Sequence, residues 1–471
     1  MRVAPLVRSR TCAFALASVL AATLAYDLWR MPIQVADALG EIVDAQQSPS
    51  IMSSFTRNFG STAYLRPLRI AQIKALFDAS HGNYRFAYRG SHALLLVALL
   101  LLFAGALRVE SGRDLAAAAF ALTALTGLHT FLGFVREAFP INHFLEIAVL
   151  CLAMLTLTQS RGGWWVDVAA CLLFVAGALT LESGLLVWVV VAAAWLCGLR
   201  GVSRGGVAAV TVLLIGYLAW RFQYLDTGLP GLDERSSGFM LERLEPEELQ
   251  RRFGQAPLMF YAYNVAASVL SVLASEPRDG LFVFARSWID GDVRPREYVA
   301  VISSAATTAM IGWWAVTRWR ARAFRVPSDR VAVVGGIVLL VNGVLSFAYT
   351  KDDIVAVGGV FYALAAFVAV REVIERSSTL HRSAVVVTLV LFVLSSLWAV
   401  RSLGIHHVLA AQAFRVRNDW VEAPAVLRSE NRWPQQPAGV ELVETLRTQA
   451  IESPVANIEL VPEWRNRWFG D

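Results

Sequence analysis

The chain of 471 residues is 56% hydrophobic and only 17% charged, with a mean hydropathy of +0.52, against about 25% charged residues in an ordinary soluble domain. A soluble enzyme and a disordered chain are excluded. So is an outer-membrane barrel, because continuous runs such as HALLLVALLLLFAGAL stand where membrane strands would alternate. The 42 basic and 37 acidic residues leave a charge of +5, and every basic residue except Lys74 and Lys351 is arginine. These arginines gather at the ends of apolar runs, so membrane topology accounts for the high pI and no nucleic-acid partner is implied.

The first apolar run, about 12–27, follows Arg2, Arg8 and Arg10 and leads into TLAYDLWRMP, which lacks a small-x-small cleavage pattern. It reads as an uncleaved signal anchor with a cytoplasmic N-terminus. Further runs lie near 90–108, 114–134, 143–159, 164–182, 184–199, 205–222, 298–317, 331–349, 354–371 and 383–401, each close to the roughly 20 residues that cross a hydrocarbon core. They predict an all-α polytopic membrane protein of about 11 transmembrane helices in the cytoplasmic (inner) membrane, with its C-terminus outside. The cytoplasmic links then carry Arg108 and Arg113, Arg161, Arg200 and Arg204, the arginines of 318–330, and Arg371, Arg376 and Arg382, in accord with the positive-inside rule.

Residues 1–401 read as the membrane domain and 402–471 as an outer-face tail, with long outer loops at about 28–89 and 223–297. The stretch 257–275, PLMFYAYNVAASVLSVLAS, reads as a helix lying at or dipping into the interface, because a crossing there would put the arginine-rich 318–330 link outside. Cys12, Cys151, Cys171 and Cys197 all fall in apolar stretches and suit packing rather than disulfides. No 20–50-residue repeat is present, which weighs against an inverted-repeat transporter.

The first outer loop begins MPIQVADALGEIVDAQ, where Asp37, Glu41 and Asp44 share one face of a helix at the membrane surface. Arg66, Arg69 and Lys74 follow, accompanied by Tyr64, Phe77 and Tyr84. Cations outside are not explained by topology, and an anionic lipid-linked phosphate is an economical reason for them, since guanidinium binds phosphate bidentately. The bland alternative is pairing with Asp37, Glu41, Asp44 and Asp78, or snorkelling to headgroups. The next outer turn, VREAFPINHFLEI, supplies Arg136, Glu137, His143 and Glu146, with His129 about two turns deeper. His143 beside Asn142 and Glu137 offers a ligand to a divalent metal or a sugar hydroxyl, although no HExxH or Asp-x-Asp spacing supports a metal. Glu182, between two strongly apolar helices, requires a partner, with Arg136 and Lys351 as the candidates. SFAYTKDDIVAVGG adds Lys351, Asp352 and Asp353 near the same level.

MPIQVADALGEIVDAQ, AYLRPL, YRGSHALLL, REAFPINHFLEI and TLESGLL together resemble the GT-C superfamily of polyprenyl-phosphate-sugar-dependent glycosyltransferases, especially its protein O-mannosyltransferase-like branch, over roughly residues 10–200. The resemblance implies an inverting transfer from a polyprenyl-phosphate sugar donor to a glycan, lipid or protein acceptor at the outer face. Asp37 matches the family's acidic position, with Asp27 and Glu41 as alternatives, and would act as general base. Arg66 falls in the Arg-Pro element before the second helix, and Lys74 is placed to approach the donor phosphate, so that Arg66, Arg69 and Lys74 would stabilise the departing lipid phosphate. Glu182 matches the acidic hairpin residue, although Leu181 precedes it where the family carries lysine. A noncatalytic transporter or envelope-assembly scaffold is the alternative from another class, and an O-antigen polymerase or ligase a third, weakened by the lack of histidine in the 223–297 loop.

Overall fold

Helix α1 (Val3–Arg30) carries small and apolar residues at three- and four-residue spacing, and Ala13, Ala17, Ala21, Leu24 and Leu28 form its buried stripe against α5 (Tyr84–Leu107) and α6 (Gly112–Gly127). Its other flank exposes apolar side chains, with Val19 66% exposed. The same holds for Leu94 on α5, Leu172 on α9 (Trp164–Thr180) and Phe392 on α18 (His381–Glu422), at 71%, 65% and 70%. Apolar surface of this extent is stable only against lipid. The chain is a multi-pass membrane protein.

The computed structural model describes residues 3–31, 39–60, 65–135, 141–227, 231–232, 244–276, 279–321, 324, 326–377, 381–422, 437–452 and 468–469. Every regular element among them is helical. Eight helices are long and apolar enough to cross a membrane, and a ninth span arises if α6 and the segment His129–Val135, bent by 65°, count as one. Three shorter apolar helices, α8 (His143–Thr158), α9 and α10 (Leu186–Leu196, entered through the 3₁₀ turn Glu182–Leu185), correspond to the remaining runs expected from the sequence.

The bundle is organised around α17 (Asp352–Ser377), which is buried without interruption from Val355 to Val370. It packs on α6, α8, α15 (Pro295–Arg320), α16 (Pro327–Leu345) and α18. Where α6 meets α18, Gly127 comes so close that an added Cβ would lie 2.4 Å from the Trp398 carbonyl oxygen. A further long apolar helix is α11 (Arg204–Ala219).

At one end of the bundle three short helices, α2 (Leu39–Gln47), α3 (Ile51–Phe59) and α4 (Pro67–Ser80), lie between α1 and α5. Local signals set their ends: the Ser50 hydroxyl accepts from the Ser53 N–H at 3.1 Å, and Pro67 opens α4 with its φ already helical. The tail returns to this end, where α19 (Pro437–Glu452) buries Leu442, Val443 and Leu446 against Ile42, Tyr84 and Tyr88. Gln46 Nε2 donates to the Ala438 carbonyl at 3.0 Å and fastens the two parts together.

Between α11 and α15 lie α12 (Pro246–Phe253), α13 (Pro257–Ala274) and α14 (Leu281–Asp290). Near its start α13 meets the region just beyond α16, where Asn264 Nδ2 donates to the Phe347 carbonyl at 3.0 Å. Its end abuts the middle of the bundle: Thr308, midway along α15, donates to the Leu273 carbonyl at 2.6 Å and lies 3.0 Å from the Tyr362 hydroxyl. Ser275, with φ at +61°, reverses the chain, and Asp279 pairs with Arg296 at the start of α15 at 3.2 Å. Although 257–274 is long and apolar enough to cross, it stops about halfway down its neighbours.

Candidate functional site

Glu182 is the hub of the largest polar cluster at the α2–α4 end. Leu181, with φ −157° and ψ 153°, breaks α9 and aims the next residue out of the helix axis. The turn survives because two glycines cross here. A Cβ on Gly184 would lie 2.0 Å from the Gly177 carbonyl oxygen, a contact with rigid backbone. Gly184→Ala is therefore expected to force the turn away from α9 at a cost of about 1–3 kcal/mol, read as a lower unfolding midpoint; a midpoint equal to wild type would show that the crossing is looser than this geometry.

Two arginines converge on Glu182 from opposite sides. Arg66 stands just before α4, and its backbone N–H donates to Asn58 Oδ1 at 3.1 Å. Its guanidinium then grips Glu182 bidentately, Nη2 to Oε2 at 2.7 Å and Nε to Oε1 at 3.2 Å. Arg221 comes from a π-helical turn, Trp220–Tyr224, that ends α11, a geometry that re-aims side chains and is frequent at functional sites. Its Nη1 donates to the Tyr217 hydroxyl at 3.0 Å and lies 3.2 Å from Glu182 Oε1. The same turn stacks Trp220 on Tyr224, with centroids 4.3 Å apart, and brings Trp220 to 5.1 Å from Phe59 of α3. An aromatic wall thus stands beside the charged hub.

One turn further along α4, Arg69 Nη2 pairs with Glu41 at 2.7 Å. Gln72 donates to Glu146 Oε1 at 2.6 Å, and His143, 4% exposed at its side chain, places Nδ1 3.5 Å from Glu146 Oε2. Lys74 is nearly buried and pairs with Asp78 at 2.7 Å while facing the Phe77 ring. Each cation of the segment thus already has a carboxylate partner: Arg66 shares Glu182 with Arg221, Arg69 has Glu41 and Lys74 has Asp78. An anion reaches these donors by exchanging with a carboxylate or by joining the half-exposed edge of a pair, where Glu182 is 30% and Glu41 26% exposed.

Of the residues expected to form a site, Glu41, Arg66, Arg69, His143 and Glu182 lie on these interlocking contacts, and Lys74 follows on the same helix. Asp37 and Arg136, with Tyr64 and Glu137, lie outside the described residues. Lys351 is engaged elsewhere, at 3.1 Å from Asp353, while Asp352 lies 3.5 Å from His129, whose Nε2 is 2.9 Å from the Ser271 hydroxyl. Among the described residues the partners of Glu182 are Arg66 and Arg221, whereas Lys351, one of the two expected, pairs with Asp353. Asp27, the alternative acid, pairs with His406 of α18 at 2.8 Å.

Sequence reasoning missed Arg221, Tyr217 and Gln72. Arg221 was legible by the logic that singled out Arg66, as a cation at the end of a run that the sequence reading itself placed on the outer face. It also missed the depth of Arg89 and His92, both 1% exposed, with His92 Nε2 2.6 Å from the Phe134 carbonyl oxygen. Among the described residues no group of three or more His, Cys, Asp or Glu side chains is arranged to hold a metal ion. No family model matches the chain, and no curated protein or solved structure matches it either.

Proposed function

We propose that this chain is a glycosyltransferase of GT-C type that takes a sugar from a polyprenyl-phosphate carrier and passes it to an acceptor at the outer face of the cytoplasmic membrane. In this reading eleven helices cross, with the N-terminus inside, and the α2–α4 end is the outer end. The reversal of the chain at Ser275, midway down α15, is the reason 257–274 is not counted as a crossing. The observation that carries the function is the convergence of Arg66, Arg69 and Arg221 with Glu41, Glu146 and Glu182, drawn from five separate segments, at the end of a lipid-facing bundle. Charged groups gathered at such a depth are costly unless used.

In the proposed mechanism Asp37 takes the acceptor's proton, with Glu41 as the alternative base, a role worth about 10²–10⁴-fold. Arg66, Arg69 and Lys74 stabilise the charge that grows on the departing lipid phosphate. Their present carboxylate partners hold the guanidinium groups in place before the donor arrives, which lowers the ordering cost of binding. The pairing of each of these cations with a carboxylate favours a second reading, a noncatalytic envelope scaffold in which the same pairs merely fasten the first loop to the bundle.

Thermal unfolding of the detergent-purified protein with and without polyprenyl phosphate separates the two. At about 100 times its dissociation constant the lipid adds roughly 2.7 kcal/mol to wild type, and this gain is expected to vanish in Arg66→Ala and Lys74→Ala. Asp37→Asn is expected to keep the gain and lose turnover. No stabilisation at saturating lipid, or an undiminished gain in both cation variants, would leave the scaffold reading.

A further inference from the structure

A second polar site lies between α6, α15, α18 and the reversal at Ser275, away from Glu182 and its partners. A cavity of about 140 Å³ is lined there by His129, Ser275, Arg296, Val299, Arg401 and Val408, and is covered by Trp468 and Phe469. This is on the order of ten times the space that one water needs. Arg401 is its centre. The guanidinium lies over the Trp398 ring, 4.3 Å from the centroid. Nη1 donates to the Ser303 and Ser304 hydroxyls at 3.0 and 2.7 Å and points at the Ala300 carbonyl at 3.4 Å, and Nη2 donates to the Ser275 hydroxyl at 2.7 Å.

All of these partners are neutral. Among the described residues no carboxylate forms an ion pair with Arg401, and Asp279, on the cavity wall, is already bound to Arg296. A guanidinium at this depth carries a desolvation cost of several kcal/mol that hydroxyls offset only in part. Arginine has five N–H donors, and the bonds above leave Nε and one hydrogen of Nη2 for something else. The remaining wall is apolar.

We propose that this cavity binds a phosphate-bearing anion whose oxygens meet the free edge of Arg401, with the valine and aromatic walls accommodating whatever apolar chain the phosphate carries. The source is either an acidic phospholipid entering from the bilayer or free inorganic phosphate. The inference does not rest on the transferase reading, because none of its residues belongs to the Glu182 cluster.

The test uses the full chain in nanodiscs of phosphatidylcholine alone, the same discs with inorganic phosphate, and discs that include phosphatidylglycerol, with the thermal unfolding midpoint as the readout. The wild-type midpoint should rise with phosphatidylglycerol, and that rise should be absent from Arg401→Gln. Since Arg401→Gln could fail to fold, Val408→Trp provides the second arm. It fills the mouth of the cavity, leaves Arg401 and its hydroxyls in place, and should unfold like wild type in phosphatidylcholine while losing the rise. A rise with inorganic phosphate as well assigns the site to the free anion, and a rise with phosphatidylglycerol alone assigns it to the lipid head. No rise with either, or a rise that persists in Val408→Trp, overturns the proposal.

Discussion

Glu182→Ala is expected to destabilise the protein by about 3–5 kcal/mol, more than either arginine partner would when truncated alone. The reason is an asymmetry of charge. Glu182 pairs with Arg66 at 2.7 Å and Arg221 at 3.2 Å, so its removal takes the shared carboxylate from two guanidinium groups whose side chains are only 22% and 13% exposed, and a buried charge that loses its counter-charge is what makes a broken pair expensive. Arg66→Ala leaves Glu182 with Arg221, and Arg221→Ala leaves it with Arg66, so each should cost less. Residual exposure of Glu182 moves the expectation toward the low end of the range. Glu182→Gln keeps a hydrogen-bond acceptor and should fall between. Reversible unfolding of the four variants in one detergent gives the order directly, and a Glu182→Ala protein as stable as Arg66→Ala would mean that water already screens the cluster. Restoring the balance tests the same point, since adding Arg66→Ala to Glu182→Ala should recover part of the loss through coupling of neighbouring sites.

The apolar runs were legible because a crossing helix needs length and hydrophobicity and little else. Each apolar run named from the sequence falls on a helix, with breaks at Leu128 and Leu181. What a sequence could not reveal is which polar residues meet, because that depends on how helices far apart in the chain pack. Glu182 required a partner on energetic grounds, yet nothing in linear order selects Arg66, 116 positions away, over Lys351. The choice depends on Pro67 starting α4 where it does, on Gly177 and Gly184 letting the turn at 182 approach α9, and on a π-helical turn that swings Arg221 inward. A π turn has no strong sequence signature. The stretch 257–275 shows the limit of length and hydrophobicity as signals: 257–274 is long and apolar enough to cross, and only its packing, with Leu273 held by Thr308 midway along α15, distinguishes it from its neighbours.

At the opposite end of the bundle, Arg318→Ala is expected to cost about 3–5 kcal/mol, whereas Arg376→Ala, a neighbouring arginine of the same charge, should change stability by no more than about 1 kcal/mol. Both were read from the sequence as topology determinants, and as such they are equivalent. Packing separates them. Arg318 bridges α16 and α17, lying 3.3 Å from Asp329 and 2.6 Å from Glu372, whose side chains are 0% and 10% exposed. Arg376 is 49% exposed, pairs with Glu372 at 2.7 Å and lies over the Trp313 ring, 4.9 Å from its centroid. When Arg318 is lost, Glu372 still has Arg376, but among the described residues Asp329 has no other ion-pair partner within contact distance, Arg371 acting on it only from farther away, and a buried carboxylate without a close counter-charge either remains charged at high cost or takes up a proton. Arg318→Lys should rescue only part of the loss, because one ammonium cannot span two carboxylates as a planar fork does. Arg318→Met with Asp329→Asn should be more stable than Arg318→Ala alone, since it removes both members of the pair and leaves Glu372 with Arg376 as its counter-charge. Equal stabilities for Arg318→Ala and Arg376→Ala would show that the arginines of this link act through topology alone; the expected gap would show that one of them is also the clamp that holds α15, α16 and α17 in register.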